Sequence, residues 1–514
     1  MMQPGFATRG FYLHRGWQYR YPFAVRSWNA EDFHNFFLLL RLLAFDRVMI
    51  WPMTEMAPPP LSAQDEHALR DFSAVIDDAR LCGLRCWLVF CPNLTSHAEI
   101  GQQPFHDRIF YPFLRRLRFD RSEDSALLIS HHEQILRCLP NADGYVYIDG
   151  DPGGYPGAKP DDYFSFLAAA HAILRQWHCG PEPASLIPWI WAGWGSNWET
   201  LPAWHDDLQR FVVPFLRYLL EHPPAEPWEI LPGRSIREGW ANGRIIFDLV
   251  EKAGLLARST LLTYEIVEFE PTPPAVVLQF DDIRRVLRQE YRYRSQVRGI
   301  MANAQQPVMA LPNLYCWALC TADPVWLERR DEEILSHFAS FLGGDAQVLI
   351  PAWSVASRQV VDLPADLPSR LRDLHLSAEP SRYLPGGSEK YLQILAEFAA
   401  VRMAILQKTN AAARNRRDFA KGVVGAMQAL IRWWIQHGYV FTGEKGEGFR
   451  LEYCHAVLLS PLQQWIKSCR CSLDHTTLQA MARELSGPAA DADQVLLVLE
   501  DLLANGYQRK SSCI

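Results

Sequence analysis

The sequence holds no unbroken apolar stretch long enough to cross a membrane. Runs such as "FFLLLRLLAF" are interrupted by charge and read as buried helix. It has no long basic tract either, and its net charge of −7 comes from interspersed acids and bases, which argues against nucleic acid as the main partner. No glycine-rich dinucleotide fingerprint or phosphate loop follows any strand candidate, which removes the main reason to expect an open doubly wound sheet. The opening residues "MMQPGFATRGFYLHRG" lack a charged segment followed by an apolar run, so no signal peptide is expected. Eleven scattered cysteines cannot all pair, and free thiols in a reducing, cytoplasmic setting are the expectation. Cys82, Cys86 and Cys91 cluster without a zinc spacing and straddle an apolar strand, so they read as core. In "SHHEQIL", His131 and His132 point to different sides of a helix with no third ligand evident. No metal or organic cofactor is expected.

What is present is a large apolar share, 49% of 514 residues, enough for an extensive core and too much for general disorder. From residue 10 to about 320, short strand candidates alternate with longer amphipathic stretches. "GFYLHRG", "DRVMIWPMTE", "LRCWLVFCPN", "GYVYIDGD" and "LIPWIWAGWG" supply five strands. After an insertion rich in Pro and Trp, "STLLTYEIVEFEP", "VRGIMANAQQP" and "NLYCWALCT" supply three more. Asn29, with Asp32 three residues on, and Ser62 are helix N-cap candidates. Eight strands separated mostly by helices predict a (β/α)8 barrel over residues 1–345. A proline-punctuated connection, 346–384, and a C-terminal helical domain, 385–514, follow. The aromatic stripe of that domain, Trp433, Trp434 and Tyr439, reads as core, as a homodimer contact or as part of a substrate wall.

In such a barrel, chemistry gathers at the C-terminal ends of the strands. The tips carry His14 and Arg15, Trp51 and Glu55, Asn93, Asp149 and Asp151, and then Trp191 and Trp194. Further on come Tyr264, Glu265, Glu268 and Glu270, then Asn303 and Gln305. Glycosidic cleavage needs two carboxyl groups flanking the bond, and flat aromatics and amides suit sugar faces and hydroxyls. The segment "PWIWAGWGSNWETLPAW" places five tryptophans within sixteen residues, which serves either sugar stacking or loop packing. The aspartates of "VYIDGDPGGYPG" serve either a turn or a site, since Asp-Gly and Asp-Pro are ordinary turn formers.

"RGIMANAQQPVMALPNLYCWALCTADP", "YEIVEFEPTPP" and the loop after "VYI" together resemble α-glucuronidases, in which a strand ending in Ala-Asn, an acidic base segment and an acid-bearing loop have counterparts. The first strand is equally similar to hexosaminidase barrels. The resemblance implies a glycoside hydrolase in which Asp151 is the acid and Glu268 the base, acting on a uronic-acid-containing or other oligosaccharide. A second acidic residue of that family has no clear match, with Asp281, Asp282 and Glu290 as candidates. A uronate would also need a cationic partner, for which Arg15, Arg298, Arg292 and Arg294 are available. Two other readings stand beside this one. Asp149 and Asp151 could act as a hexosaminidase-type pair in substrate-assisted cleavage, or the barrel could bind carbohydrate without turning it over.

Overall fold

The computed structural model describes residues 5–15, 21–105, 108, 114–148, 159–191, 212–224, 228–235, 243–264, 266–268, 276–355 and 363–414. Strand β1 (Arg9–His14) pairs with β2 (Arg47–Trp51), and β2 pairs with β3 (Arg85–Phe90). A short antiparallel pair, β4 (Leu94–Ser96) and β5 (Leu114–Arg116), forms a separate sheet after β3. The ring continues through β6 (Gly144–Tyr147), β7 (Ser185–Ile190), β8 (Leu231–Ser235), β9 (Thr260–Tyr264) and β10 (Gly299–Ala304). Parallel pairing of β10 with β1 closes it into an eight-stranded barrel. This is the (β/α)8 architecture that the alternating sequence predicts.

Two units differ from the sequence reading. "NLYCWALCT" is not a strand but part of the helix Leu311–Ala322. Ten of the eleven residues from Leu311 to Thr321 are buried, Leu319 excepted, so the helix has no polar stripe to betray its period. The missing strand is β8, whose "LPGRS" lies in the stretch read as an insertion. Its proline and glycine disguise it. Asp149 and Asp151 therefore follow the fourth barrel strand as expected, whereas Glu268 follows the seventh.

Alternation along the strands divides the apolar residues into two cores. Tyr12, Met49, Trp87, Val146, Ile187 and Met301 are among those filling the barrel interior. Phe11, Val48, Leu88, Tyr145, Leu186 and Ile300 belong to the layer between barrel and helices. Large interior side chains need gaps opposite them. A Cβ on Gly233 would lie 2.4 Å from Trp189 Nε1, and one on Gly144 would lie 2.5 Å from Trp87 Cδ1. Glycine at these two positions lets the indoles occupy the interior.

The N-terminal end of the barrel is closed by charge. Glu229 Oε1 accepts from Thr260 Oγ1 at 2.8 Å, and its Oε2 accepts from Arg298 Nη1 at 3.0 Å. Arg47 Nη1 lies 3.4 Å from Glu229 Oε1, and its guanidinium covers the Trp87 ring at 3.8 Å. Arg298, expected to bind substrate, thus sits at the opposite end from the strand tips.

The helices begin where their caps direct. Asn29 and Asp32 form a reciprocal capping box, with Asp32 N–H donating to Asn29 Oδ1 at 3.0 Å and Asn29 N–H to Asp32 Oδ2 at 3.1 Å. Ser62 and Asp65 repeat the device on the helix Ala63–Leu81. The stretch expected as a connection carries the helices Ala346–Trp353 and Leu367–Asp373, and both contribute to the outer core. The helix Gly387–Arg414 then packs back, with Trp353 Nε1 donating to Tyr391 Oη at 2.8 Å. Trp433, Trp434 and Tyr439 lie outside the described residues. Among the described residues, no helix is long and apolar enough to cross a membrane.

Candidate active site

Toward the C-terminal end of the barrel, buried aromatic rings from alternating strand positions pack against one another. His14, the last residue of β1, packs edge-on against Trp51, the last of β2, at 4.8 Å between centroids. Tyr12, two residues below His14, meets Trp189 at 5.7 Å and Tyr264 at 6.4 Å. Trp189 and Tyr264 lie 6.3 Å apart. Trp191, just past β7, is half-buried against both cores. Asn303 is buried on β10, in register with Tyr12.

Glu268 joins this group. Its Oε2 accepts from the backbone N–H groups of Gln305 and Gln306, each at 2.6 Å. Gln305 Nε2 in turn donates to Tyr264 Oη at 3.3 Å. The carboxylate therefore ties the loop after β9 to the end of β10, and convergent N–H donors on one oxygen fix its position. Only 8% of Glu268 is exposed, so it sits within the mouth wall.

A second carboxyl group, Glu55, lies in the short 3-10 turn Thr54–Met56 after β2. Its Oε2 accepts from Trp51 Nε1 at 2.9 Å and its Oε1 from Cys91 N–H at 2.5 Å. Ser96 Oγ donates to its carbonyl at 2.9 Å. Burial pushes the carboxyl up to about 7, and the hydrogen bonds from backbone, Trp51 and Thr54 offset this only in part. It is a group that exchanges a proton near neutrality, fixed under an aromatic residue of the mouth. From sequence, Glu55 is one strand-end acid among several. Its enclosure, which gives it this property, is tertiary.

Asn93 is fully buried just past β3, and neither atom of its amide has a hydrogen-bond partner among the described residues. Its carbonyl accepts from Leu117 N–H at 2.8 Å, which holds the chain where β4 begins.

Arg15 and the three candidates for a further acid place their side chains away from the strand ends of the barrel. Arg15 turns into the helix layer, where its guanidinium lies 4.5 Å over the Phe72 ring. Burial lowers it to about 10. Of the candidates for a further acid, Asp281 and Asp282 are in the first turn of the helix Phe280–Glu290, paired with Arg284 and Arg285 at 2.7 Å and 2.6 Å. Glu290 is buried on the helix side of β9, accepting from Thr263 Oγ1 at 2.7 Å. None of the three belongs to the mouth. His131 and His132 are buried and their basicity is lowered by burial, to about 4 and about 3. His132 Nε2 lies 2.7 Å from Tyr147 Oη, on the outer face of β6. Asp149, Asp151, Trp194, Glu265 and Glu270 lie outside the described residues.

The C-terminal end of the barrel thus brings together packed aromatic rings, of which Trp191 and Tyr264 are partly exposed, the buried amides of Asn93 and Asn303, and two enclosed carboxyl groups, Glu55 and Glu268. Neither a protein-family model nor a curated protein matches the sequence. Among solved structures, a mutant Thermobaculum terrenum O-GlcNAc hydrolase is 12% identical, with 97% of this chain and 94% of that chain covered at a TM-score of 0.40. A β-N-acetylhexosaminidase is 11% identical, with 66% of this chain and 76% of that chain covered at a TM-score of 0.40. A Prevotella bryantii glycoside hydrolase family 5 enzyme is 11% identical, with 64% of this chain and 99% of that chain covered at a TM-score of 0.40. The barrel assignment rests on the strand pairing and owes nothing to these likenesses.

Proposed function

We propose that the protein is a glycoside hydrolase working at the C-terminal mouth of the barrel by general acid–base catalysis. The observation that carries this reading is the placement of Glu268, a nearly buried carboxylate fixed by two backbone N–H groups, beside Tyr264, Gln305 and the Tyr12–Trp189 aromatic pair. Glu268 deprotonates a water on one face of the sugar, and Asp151 protonates the leaving oxygen on the other. A carboxyl separation of roughly 6.5–9.5 Å gives inversion, and about 5–5.5 Å gives retention.

The engagement of the four arginines expected to hold a uronate favours a neutral glycoside as substrate. Arg298 is committed to Glu229 at the far end, Arg15 to Phe72, Arg292 to Asp248, and Arg294 to the carbonyl of Tyr291. A sugar carboxylate finds no partner among these four arginines, and leaving a buried charge unpaired is costly. A chromogenic panel of glucosides, xylosides, N-acetylglucosaminides and glucuronides tests the proposal on wild type, Asp151→Asn and Glu268→Gln. Turnover of a neutral glycoside, with kcat lowered about 100-fold or more in each variant, supports it. Equal glycan binding by all three proteins without turnover of any glycoside would make the barrel a binding module, whose Glu268 is only a brace between loops.

A further inference from the structure

Outside the barrel mouth, three side chains of different chemistry converge between the helices Ala30–Leu42 and Ala63–Leu81. His34 comes from the first helix. Asp78 lies in the last turn of the second, and Cys82 is that helix's C-cap, one turn after Asp78. His34 Nδ1 lies 2.9 Å from Asp78 Oδ1 and 3.6 Å from Cys82 Sγ, and the three ligand atoms fall within 4.8 Å of one another.

We propose that His34, Asp78 and Cys82 form a binding site for a borderline-soft divalent cation of the zinc class, which staples the two helices together. The donor set is one imidazole nitrogen, one carboxylate oxygen and one thiol sulfur, the mixture that zinc accepts. With metal–nitrogen and metal–sulfur bonds of about 2.1 Å and about 2.3 Å, a tetrahedral ion holds its nitrogen and sulfur ligands about 3.6 Å apart. The Nδ1–Sγ spacing already has that value. The Nδ1–Oδ1 spacing needs to open by about 0.5 Å. A hydrogen-bonded catalytic relay is the other arrangement such residues build, but there the histidine uses one ring nitrogen for the nucleophile and the other for the acid. Here sulfur and carboxylate face the same Nδ1, so all three atoms surround one point.

Two further observations favour a cation. Asp78 Oδ2 is buried and makes no hydrogen bond among the described residues, which leaves the carboxylate capacity for a second interaction. The site is also reachable, since the His34 and Asp78 side chains are 47% and 27% exposed. From sequence, Cys82 reads as core with its neighbours Cys86 and Cys91. Cys82 is partly buried against the outer core as that reading has it, and the structure adds a histidine neighbour 48 residues earlier on another helix.

The test is titration of the chelator-treated full chain with cobalt chloride and zinc chloride. One equivalent of cobalt is expected to give a sulfur-to-cobalt charge-transfer band with the intense visible absorption of a tetrahedral ion. Cys82→Ser should abolish the charge-transfer band, and His34→Ala should weaken zinc binding at least about 10-fold. His67→Ala, altering an exposed histidine on the helix that carries Asp78, should change neither. Zinc should raise the melting temperature of wild type but not of Cys82→Ser, because only the folded state presents the three ligands together. A charge-transfer band that survives in Cys82→Ser, or a wild type that binds no cobalt through sulfur, overturns the proposal.

Discussion

Glu55 offers the sharpest test of the electrostatics at the barrel mouth. Its carboxyl is raised from an ordinary value of 4.5 to about 7, chiefly because burial penalises the ionised form. The folded protein therefore holds this proton more tightly than the unfolded chain does. The stabilisation is therefore complete below the unfolded value of 4.5 and is lost as pH rises through about 7. At about 1.4 kcal/mol for each tenfold in proton affinity, the whole interval amounts to about 3 kcal/mol. Glu55→Gln removes the titration while keeping the shape. The substituted amide leaves either Trp51 Nε1 or the Cys91 N–H facing another donor, so the variant should be the less stable protein at pH 5. That deficit shrinks by roughly 2–3 kcal/mol on going to pH 8, because only wild type must then bury a charge. Urea denaturation of both proteins at each pH measures the difference, and the comparison cancels the titration of His131, His132 and other groups common to both. Parallel stability curves from pH 5 to pH 8 would refute the assignment of a proton to buried Glu55.

Gly233→Ala should destabilise the barrel by about 1–3 kcal/mol, since its Cβ would fall 2.4 Å from Trp189 Nε1 in a filled interior, and it should broaden the tryptophan emission. Arg108 and Asp65 form a fully buried ion pair at 2.5 Å, in which Arg108 also donates to the carbonyls of Met56 and Gly101. Arg108→Met strands the Asp65 carboxylate and should cost about 3–5 kcal/mol, read as a fall in the urea midpoint, whereas the double variant with Asp65→Leu should recover part of it. An unchanged midpoint in Arg108→Met would show that the charge finds water instead.

The sequence by itself determined the barrel, because alternating apolar positions and intervening amphipathic stretches are local patterns with few packed solutions. It also determined the helix starts at Asn29 and Ser62, whose caps are made within three residues. The strand-end rule reads His14, Trp51 and Asn303 from the ends of their strands for the same reason, and Glu268 follows β9. Where the local signal was ambiguous, tertiary structure decided. The helix around "NLYCWALCT" is buried on every side and so shows no period, and the strand "LPGRS" owes its Gly233 to an indole from the neighbouring strand. Direction was equally illegible. Arg15 follows the residue that ends β1 at the mouth, yet it turns toward Phe72, and Arg298 precedes β10 at the end where Glu229 waits. The burial that sets the proton affinity of Glu55, and the meeting of His34 with Asp78 and Cys82, depend on chains far apart in sequence. Local periodicity says which elements form, while burial and encounter arise only once those elements close around one another.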